Sequence, residues 1–405
     1  MSFWMKKSKI IATCAKGVSP YLQAEMRDLN FPVHAVGEAA VETEGALEDA
    51  MTLNLNLRTA HRVLYLYHAF TANTLEDLYR RLVRLSWEEV LDTDGYVCVT
   101  SFADTPAIRD GRIVNLKGKD AVADRFRQVS DRRPDSGAAR DRTVIHLYWK
   151  HNQVLVYLDT SGDSLSKRGY RKIPLQAPMQ ETLAASVILA AGWQGEGHFI
   201  NPMCGSGTLA IEAALIALNR APGLVRTNYG FMHLKGFTPS HWRDMRTRAR
   251  KAVRKQLPGK IVATDVRREA VDAARQNART AGVDHLIDFA VCDYRETPVP
   301  EGNGMIMFNP AYGERMGEIA ALEAVYQGVG DFFKQQGPGY RGYIFTGNPA
   351  LAKKIGLKTK RRIPFFNGEI ECRLLEYELY AGSRKRPPAP VTDNENEEDQ
   401  TQEAP

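Results

Sequence analysis

Residues 308–317 read FNPAYGERMG, an asparagine, a proline, an aromatic ring and two glycines directly behind the apolar run GMIMF. These types in this order suit attack by an exocyclic aromatic amine. Such an amine is a poor nucleophile because its lone pair is delocalised into the ring. Two fixed acceptors draw it toward tetrahedral geometry and stabilise the positive charge that develops on attack. Asn309, through its carboxamide oxygen, and Pro310, through its carbonyl, are the candidate acceptors. Tyr312 can stack on the base, a contact worth ~1–3 kcal/mol in single-stranded nucleic-acid sites. No strong general base is required when the electrophile is a sulfonium methyl. Pro310 also biases Asn309 to extended backbone. Asn-Pro and Gly equally make plain β-turns, so the cluster takes its meaning from what shares its rim.

A second stretch, NPMCGSGTLAIEAA (201–214), passes from a short apolar run into helical sequence through Gly205, Ser206 and Gly207. Glycines serve where a turn is tight and a ligand must approach the backbone, and Thr208 is placed to help cap the helix. IVATDV then puts Asp265 at the next strand end, where a carboxylate can take both hydroxyls of a ribose. FAVCDY puts Asp293 at the following one, within reach of an adenine amino group. Together these fit an adenosine-containing ligand. In a dinucleotide fold the ribose acid follows the glycines by about twenty residues, whereas Asp265 lies 58 after Gly207. No Gly-Lys-Ser/Thr follows the glycines either, which argues against a nucleoside triphosphate. Helix capping by Asp265 and Asp293 would explain each acid singly, and explains their joint placement far less well.

The elements that must position these residues change style near residue 170. Up to about 165, strand-like runs such as RVLYLYHAF and QVLVYLDTS alternate with helix-like ones such as LEDLYRRLVRL, an α+β pattern. Beyond it, a short apolar run, a loop and a helix recur, which predicts a parallel sheet with helices on both faces. The last runs, GEIECRLLEYELY among them, have no helix between them and suit an antiparallel edge. The expected units are 1–60, 61–165, 166–382 and an acidic tail over 383–405.

Charge and composition bound the partners. The chain carries +6 in 405 residues; its last fifteen hold six acids and no base, so the remainder carries +12. A basic folded part points to a polyanion. RDMRTRARKAVRK (243–255) and SKRGYRK (166–172), where Lys167, Arg168, Arg171 and Lys172 flank Tyr170, are candidate phosphate-contacting surfaces beside the crevice. Cys14, Cys98, Cys204, Cys292 and Cys372 are scattered and never spaced Cys-x-x-Cys, which suggests neither a zinc ribbon nor a disulfide framework. No metal site is expected. The longest mostly apolar stretch, 182–193, is too short to span a bilayer, and the reading is a cytoplasmic protein.

In order along the chain, LDTSGDSLSKRGYR, ETLAAS, GWQ, NPMCGSGTLAIEAA, RAPGL, RARK and NPAYGER resemble the THUMP-domain RNA methyltransferases. Within them the match is to the amino-terminal half of the bacterial enzymes that methylate guanine N2 of large-subunit ribosomal RNA. It covers roughly residues 1 to 382. The resemblance implies a ferredoxin-like segment and a THUMP module, both RNA-handling, joined to a Rossmann-like class I methyltransferase domain that uses S-adenosylmethionine. By position it implies cofactor contacts from Asn201, Pro202, Cys204, Gly205, Gly207 and Thr208, from Asp265 and Val266, from Asp293 and Tyr294, and from Asn309. Glu181 and Thr182 correspond to a segment near the cofactor. Asn309, Pro310 and Tyr312 would meet the target base, and Arg315 would contact a phosphate or Glu314. Two positions depart from the pattern: Asn201 replaces the usual aspartate, and Ala311 replaces a second proline, which loosens the loop while both acceptors and the ring remain. The RNA partner implied is ribosomal, with transfer RNA an alternative. A DNA adenine methyltransferase and a non-catalytic RNA-binding factor are the other readings.

Overall fold

Short strands with alternating burial and amphipathic helices build the amino-terminal half. In β1 (Ser8–Thr13), Ile10 and Ala12 turn inward while their neighbours stay half-exposed, the period of two that a half-buried strand requires. The computed structural model describes residues 3–173, 175, 179–313 and 316–380. The acidic tail, Glu314 and Arg315 lie outside that set.

β2 (Ala35–Val36), β3 (Ala40–Gly45), β4 (Arg62–Thr71), β5 (Tyr96–Asp104), β6 (Asp135–Ser136), β7 (Thr143–Lys150) and β8 (Gln153–Asp159) join β1 in one sheet, ordered β2-β3-β1-β4-β8-β7-β5-β6. β4 pairs antiparallel with β1 on one side and β8 on the other. β4 thereby joins β1 of the expected unit 1–60 to β8 of the expected unit 61–165, and the two share one sheet. α1 (Ser19–Asp28), α2 (Leu47–Asn56), α3 (Leu75–Val83) and α4 (Arg112–Ser130) pack on this sheet and on each other.

The carboxyl half begins with α5 (Glu181–Ala190). β9 (His198–Pro202), β10 (Ile261–Asp265), β11 (Ile287–Val291), β12 (Gly304–Phe308), β13 (Tyr340–Thr346), β14 (Arg361–Asn367) and β15 (Ile370–Glu378) form the second sheet, in order β11-β10-β9-β12-β13-β15-β14. The first five are mutually parallel and β15 runs antiparallel between β13 and β14. β9 and β10 are buried nearly throughout because helices cover both faces. α6 (Thr208–Ala217), α7 (Pro239–Lys251), α8 (Arg268–Ala281), α9 (Met316–Gln336) and α10 (Pro349–Lys354) complete the domain. From β9 the chain winds outward through β10 to β11, then returns to place β12 on the other side of β9. Strand order thus reverses between β9 and β12, the switch point where ligands of open parallel sheets bind.

Among the described residues no helix is long and apolar enough to cross a membrane, and no cluster of His, Cys, Asp and Glu could hold a metal ion.

Candidate active site at the carboxyl rim

Parallel strands end on one side of a sheet, so the loops after β9, β12, β10 and β11 share a rim. In spatial order the rim reads Asp293, Asp265, the glycine turn and Asn309. The glycine turn and Asn309 flank the switch point.

The turn holds three positive φ angles in five residues: Met203 at 55°, Gly205 at 54° and Gly207 at 82°. The two glycines are there for different reasons. A Cβ on Gly207 would lie 2.8 Å from the Ala274 Cβ, so its absence lets α6 and α8 pack closely. A Cβ on Gly205 would meet nothing within 4 Å; the backbone there faces open space. Gly205 donates its N–H to Asp265 Oδ2 at 3.0 Å, and Arg267 donates its backbone N–H to Oδ1 at 3.0 Å. These bonds fix the carboxylate while lone pairs remain. Val266, the next residue, is 68% exposed, an unusual place for a valine unless something apolar covers it.

Other expected residues are arranged differently. Thr208 does not cap α6, because Gly207 occupies the cap position in the left-handed region. Thr208 Oγ1 instead accepts from Arg171 Nη2 at 3.0 Å. Pro202 sits in β9 opposite Thr264, and Cys204, buried, anchors the turn by donating its backbone N–H to the Thr264 carbonyl at 2.8 Å. Asn201 is fully enclosed: Nδ2 donates to the Met307 carbonyl at 2.9 Å, and Oδ1 has no partner among the described residues. An aspartate there would set a carboxylate against that carbonyl, so the amide suits a link between β9 and β12. Asp293 accepts from Arg295 Nε at 2.8 Å, Nη2 at 2.9 Å and the backbone N–H at 2.9 Å. The guanidinium holds the Asp293 carboxyl below its usual range. Tyr294 turns away from the crevice, its hydroxyl donating to the Val325 carbonyl at 3.3 Å and its ring edge-on to Phe308.

At the acceptor loop, Tyr312 donates its hydroxyl to Asn309 Oδ1 at 2.9 Å. The oxygen expected to receive an amine hydrogen is therefore engaged. The Tyr312 ring lies against Phe345, centroids 6.4 Å apart, and burial drives its phenol far above the ordinary range. Asn348 Nδ2 donates to the Tyr312 carbonyl at 2.8 Å, and Tyr326 donates its hydroxyl to the Ala311 carbonyl at 3.2 Å. The loop is thus held from α9 and from the end of β13. Arg315 and its bond to Glu314 or a phosphate fall outside the described residues.

Of the basic stretch 166–172, Lys167 and Lys172 are exposed as expected of a phosphate-facing surface, whereas its arginines are turned inward. Arg168 is 2% exposed and Tyr170 1%. Arg168 Nε lies 3.4 Å from Glu212 Oε1 on α6, which also accepts from the Tyr170 hydroxyl at 3.0 Å, and Arg168 Nη2 donates to the Arg58 carbonyl. Glu25 on α1 accepts the Arg58 N–H at 2.8 Å and the Thr59 N–H at 3.0 Å. Arg171 joins Glu181 at 3.4 Å to Thr208. These charges bind the amino-terminal half to the glycine turn and are unavailable to phosphate. The run 243–255 is also displaced from the crevice: Arg254 bonds the Ala217 carbonyl at 3.3 Å, at the end of α6 opposite the glycine turn, and Arg246 holds the carbonyls of Leu224 and Arg226. Arg58, Glu25 and Glu212 carried no signal in the sequence, because ion partners far apart in the chain share no spacing.

Comparison with known proteins agrees with this fold. Residues 168–376 match a family described as RMKL-like methyltransferase domain, and residues 9–64 match the RlmL ferredoxin-like domain. A ribosomal RNA large subunit methyltransferase K/L of Syntrophotalea carbinolica is 38% identical over 92% of this chain and 53% of its own length. A putative RNA methyltransferase of Synechocystis sp. is 32% identical over 91% of this chain and 96% of its own. The chain spans about half the length of the K/L relatives. Among solved structures, a putative methyltransferase complexed with SAH superposes with TM-score 0.82 at 28% identity, over 94% of this chain and 100% of the other.

Proposed function

Since this chain belongs to the RMKL-like methyltransferase family, we propose that it transfers the methyl group of S-adenosylmethionine to guanine N2 of 23S ribosomal RNA. The observation that carries this is the pairing across the switch point: a glycine turn with open backbone on one side, an amine-acceptor loop on the other.

The rim fits an adenosine-bearing sulfonium. Open space in front of Gly205 admits it, Asp265 can accept ribose hydroxyls, and exposed Val266 offers an apolar floor to a base. When bound, this cofactor supplies an electrophilic methyl. Asn309 Oδ1 and the Pro310 carbonyl accept the two amine hydrogens and aim the nitrogen. With the cofactor bound, a nitrogen–carbon bond would form as its carbon–sulfur bond breaks, and the nitrogen held by Asn309 and Pro310 would lose one proton to solvent. Asn309 Oδ1 becomes available as Tyr312 releases it, which frees the ring to stack on the incoming base. The amino-terminal half, bonded through Arg168 to Glu212 on the helix behind the glycine turn, would hold the RNA while the base is turned out.

The test is transfer of labelled methyl to 23S RNA from a strain lacking the corresponding methyltransferase, with nucleoside mass spectrometry. N2-methylguanosine should appear with wild type and fall by about a hundredfold or more with Asn309→Ala, the scale of losing one preorganised contact to developing charge. Label appearing in transfer RNA and not in 23S RNA would reassign the substrate. Binding of S-adenosylmethionine without methylation of any RNA would overturn the reading.

A further inference from the structure

A cavity of ≈ 290 Å³ opens where three parts of the chain meet: the segment after β1, the start of α5 and the β14–β15 hairpin. Its walls include Cys14 and Lys16 from the first, Gln180 and Leu183 from the second and Phe366 from the third, with His61 beside them. The size lies near the lower end of the roughly 300–1,000 Å³ of small-ligand sites. The hairpin abuts the acceptor loop. A Cβ on Gly347 would lie 3.1 Å from Tyr312 Cδ2 and 2.9 Å from Ile370 Cγ2, and Phe365 meets Phe345, which meets Tyr312.

The chemistry of the walls selects a class of occupant. Phe366, half-buried, presents an aromatic face, and Lys16 Nζ lies 5.0 Å from its ring centroid. Lys16 is already paired with Glu38 at 2.7 Å, so the cavity has little net charge to offer a phosphate. Leu183 and Cys14 are buried and apolar. Burial, with Arg168 and Arg62 nearby, pushes His61 down to about 4, so its imidazole is neutral; Nε2 lies 3.1 Å from Thr182 Oγ1. Gln180, exposed, can both donate and accept. An aromatic face, an uncharged hydrogen-bonding edge and an apolar floor suit a planar, neutral heterocycle. No residue of 309–313 lines the cavity, so what it holds is not the reacting base, while the hairpin that bears Phe366 also touches the acceptor loop.

We propose that this cavity receives the nucleobase flanking the target in the RNA, stacked on Phe366 and read by Gln180 and His61. The inference rests on the RNA methyl-transfer reading for its substrate, and adds to it a contact that sets sequence context. Enzymes that turn out a base commonly take context from its immediate neighbours, and an aromatic face accepts any base by stacking.

The experiment measures affinity of the full chain for a fluorescent oligoribonucleotide spanning the target, alongside KM and kcat for methyl transfer. Phe366→Ala should weaken RNA binding and raise KM about tenfold, Phe366→Tyr should stay near wild type, and Gln180→Ala should change the preference among oligonucleotides differing only at the flanking base. Affinity for S-adenosylhomocysteine and the thermal transition, compared with wild type, control for folding. Unchanged RNA affinity in Phe366→Ala together with unchanged flanking-base preference in Gln180→Ala would overturn the inference, even with methyl transfer intact. Conversely, weakened RNA binding by Phe366→Ala in a wild type that transfers no methyl would uphold the cavity and sink the methyl-transfer reading.

Discussion

Tyr312 and Asn309 hold each other in the ligand-free loop, hydroxyl to carboxamide oxygen. The bond satisfies a half-buried acceptor, and under the proposed mechanism it competes with the substrate amine for the same lone pairs. Tyr312→Phe removes the competitor and keeps the ring, so kcat/KM for RNA should equal or exceed wild type by a fewfold. A tenfold fall instead would mean that the hydroxyl orients the carboxamide for catalysis. The Asn-Pro-x-Tyr order is what singled these residues out in the sequence; the structure adds that the Tyr312 ring packs against Phe345. Which way an aromatic side chain turns is set by the neighbours it buries against, and Phe345, Gly347 and Cys372 arrive from other strands.

At the scale of the element, the turn between β9 and α6 separates conformation from packing. Gly205→Ala puts a side chain at φ 54° in open space, which costs about 1–2 kcal/mol for the left-handed backbone and places a methyl where a ligand would approach. Gly207→Ala combines the same backbone cost with a 2.8 Å encounter with Ala274, and should cost about 2–5 kcal/mol. Urea unfolding and calorimetry of cofactor binding should therefore cross over: Gly207→Ala the less stable, Gly205→Ala losing more affinity per unit of stability lost. Equal effects on both would show that the two glycines share one role. The β-loop-α rhythm made these elements legible, because a fully buried parallel strand reads as a short apolar run whatever surrounds it. α2 and β3 were not singled out, since LEDAMTLNLN and AVETEG have weak periodic signals and are fixed by pairing with β1 and by packing on β4.

For the whole molecule, the two sheets are joined by buried charge. Arg168→Ala would leave Glu212 and the Arg58 carbonyl without their partner in the interior, a loss of about 3–5 kcal/mol readable from the urea midpoint. A change below 1 kcal/mol would mean that solvent already reaches the junction. His61, held near 4 by burial and by Arg168 and Arg62, gives a pH signature. Its ordinary value is about 6.5, so the unfolded chain takes up the proton first. Stability from the neutral buried ring is complete above that value and is lost as pH falls toward 4. Wild type should therefore lose Tm relative to His61→Gln across that window; a constant difference would show that the ring protonates as freely in the folded state.

The sequence by itself determined the parallel sheet, its antiparallel edge and the four rim loops on which the proposed amine acceptor and adenosine site rest. Each of these depends on residues close together in the chain, where periodicity and turn chemistry act. Only the tertiary structure decided that RGYR is an interior staple, that 243–255 lies at the far end of α6, and that one sheet runs through both amino-terminal units. Arginines look alike in sequence whether they face phosphate or Glu212. What separates them is burial, and burial is set by segments as distant as Arg58 and Glu25.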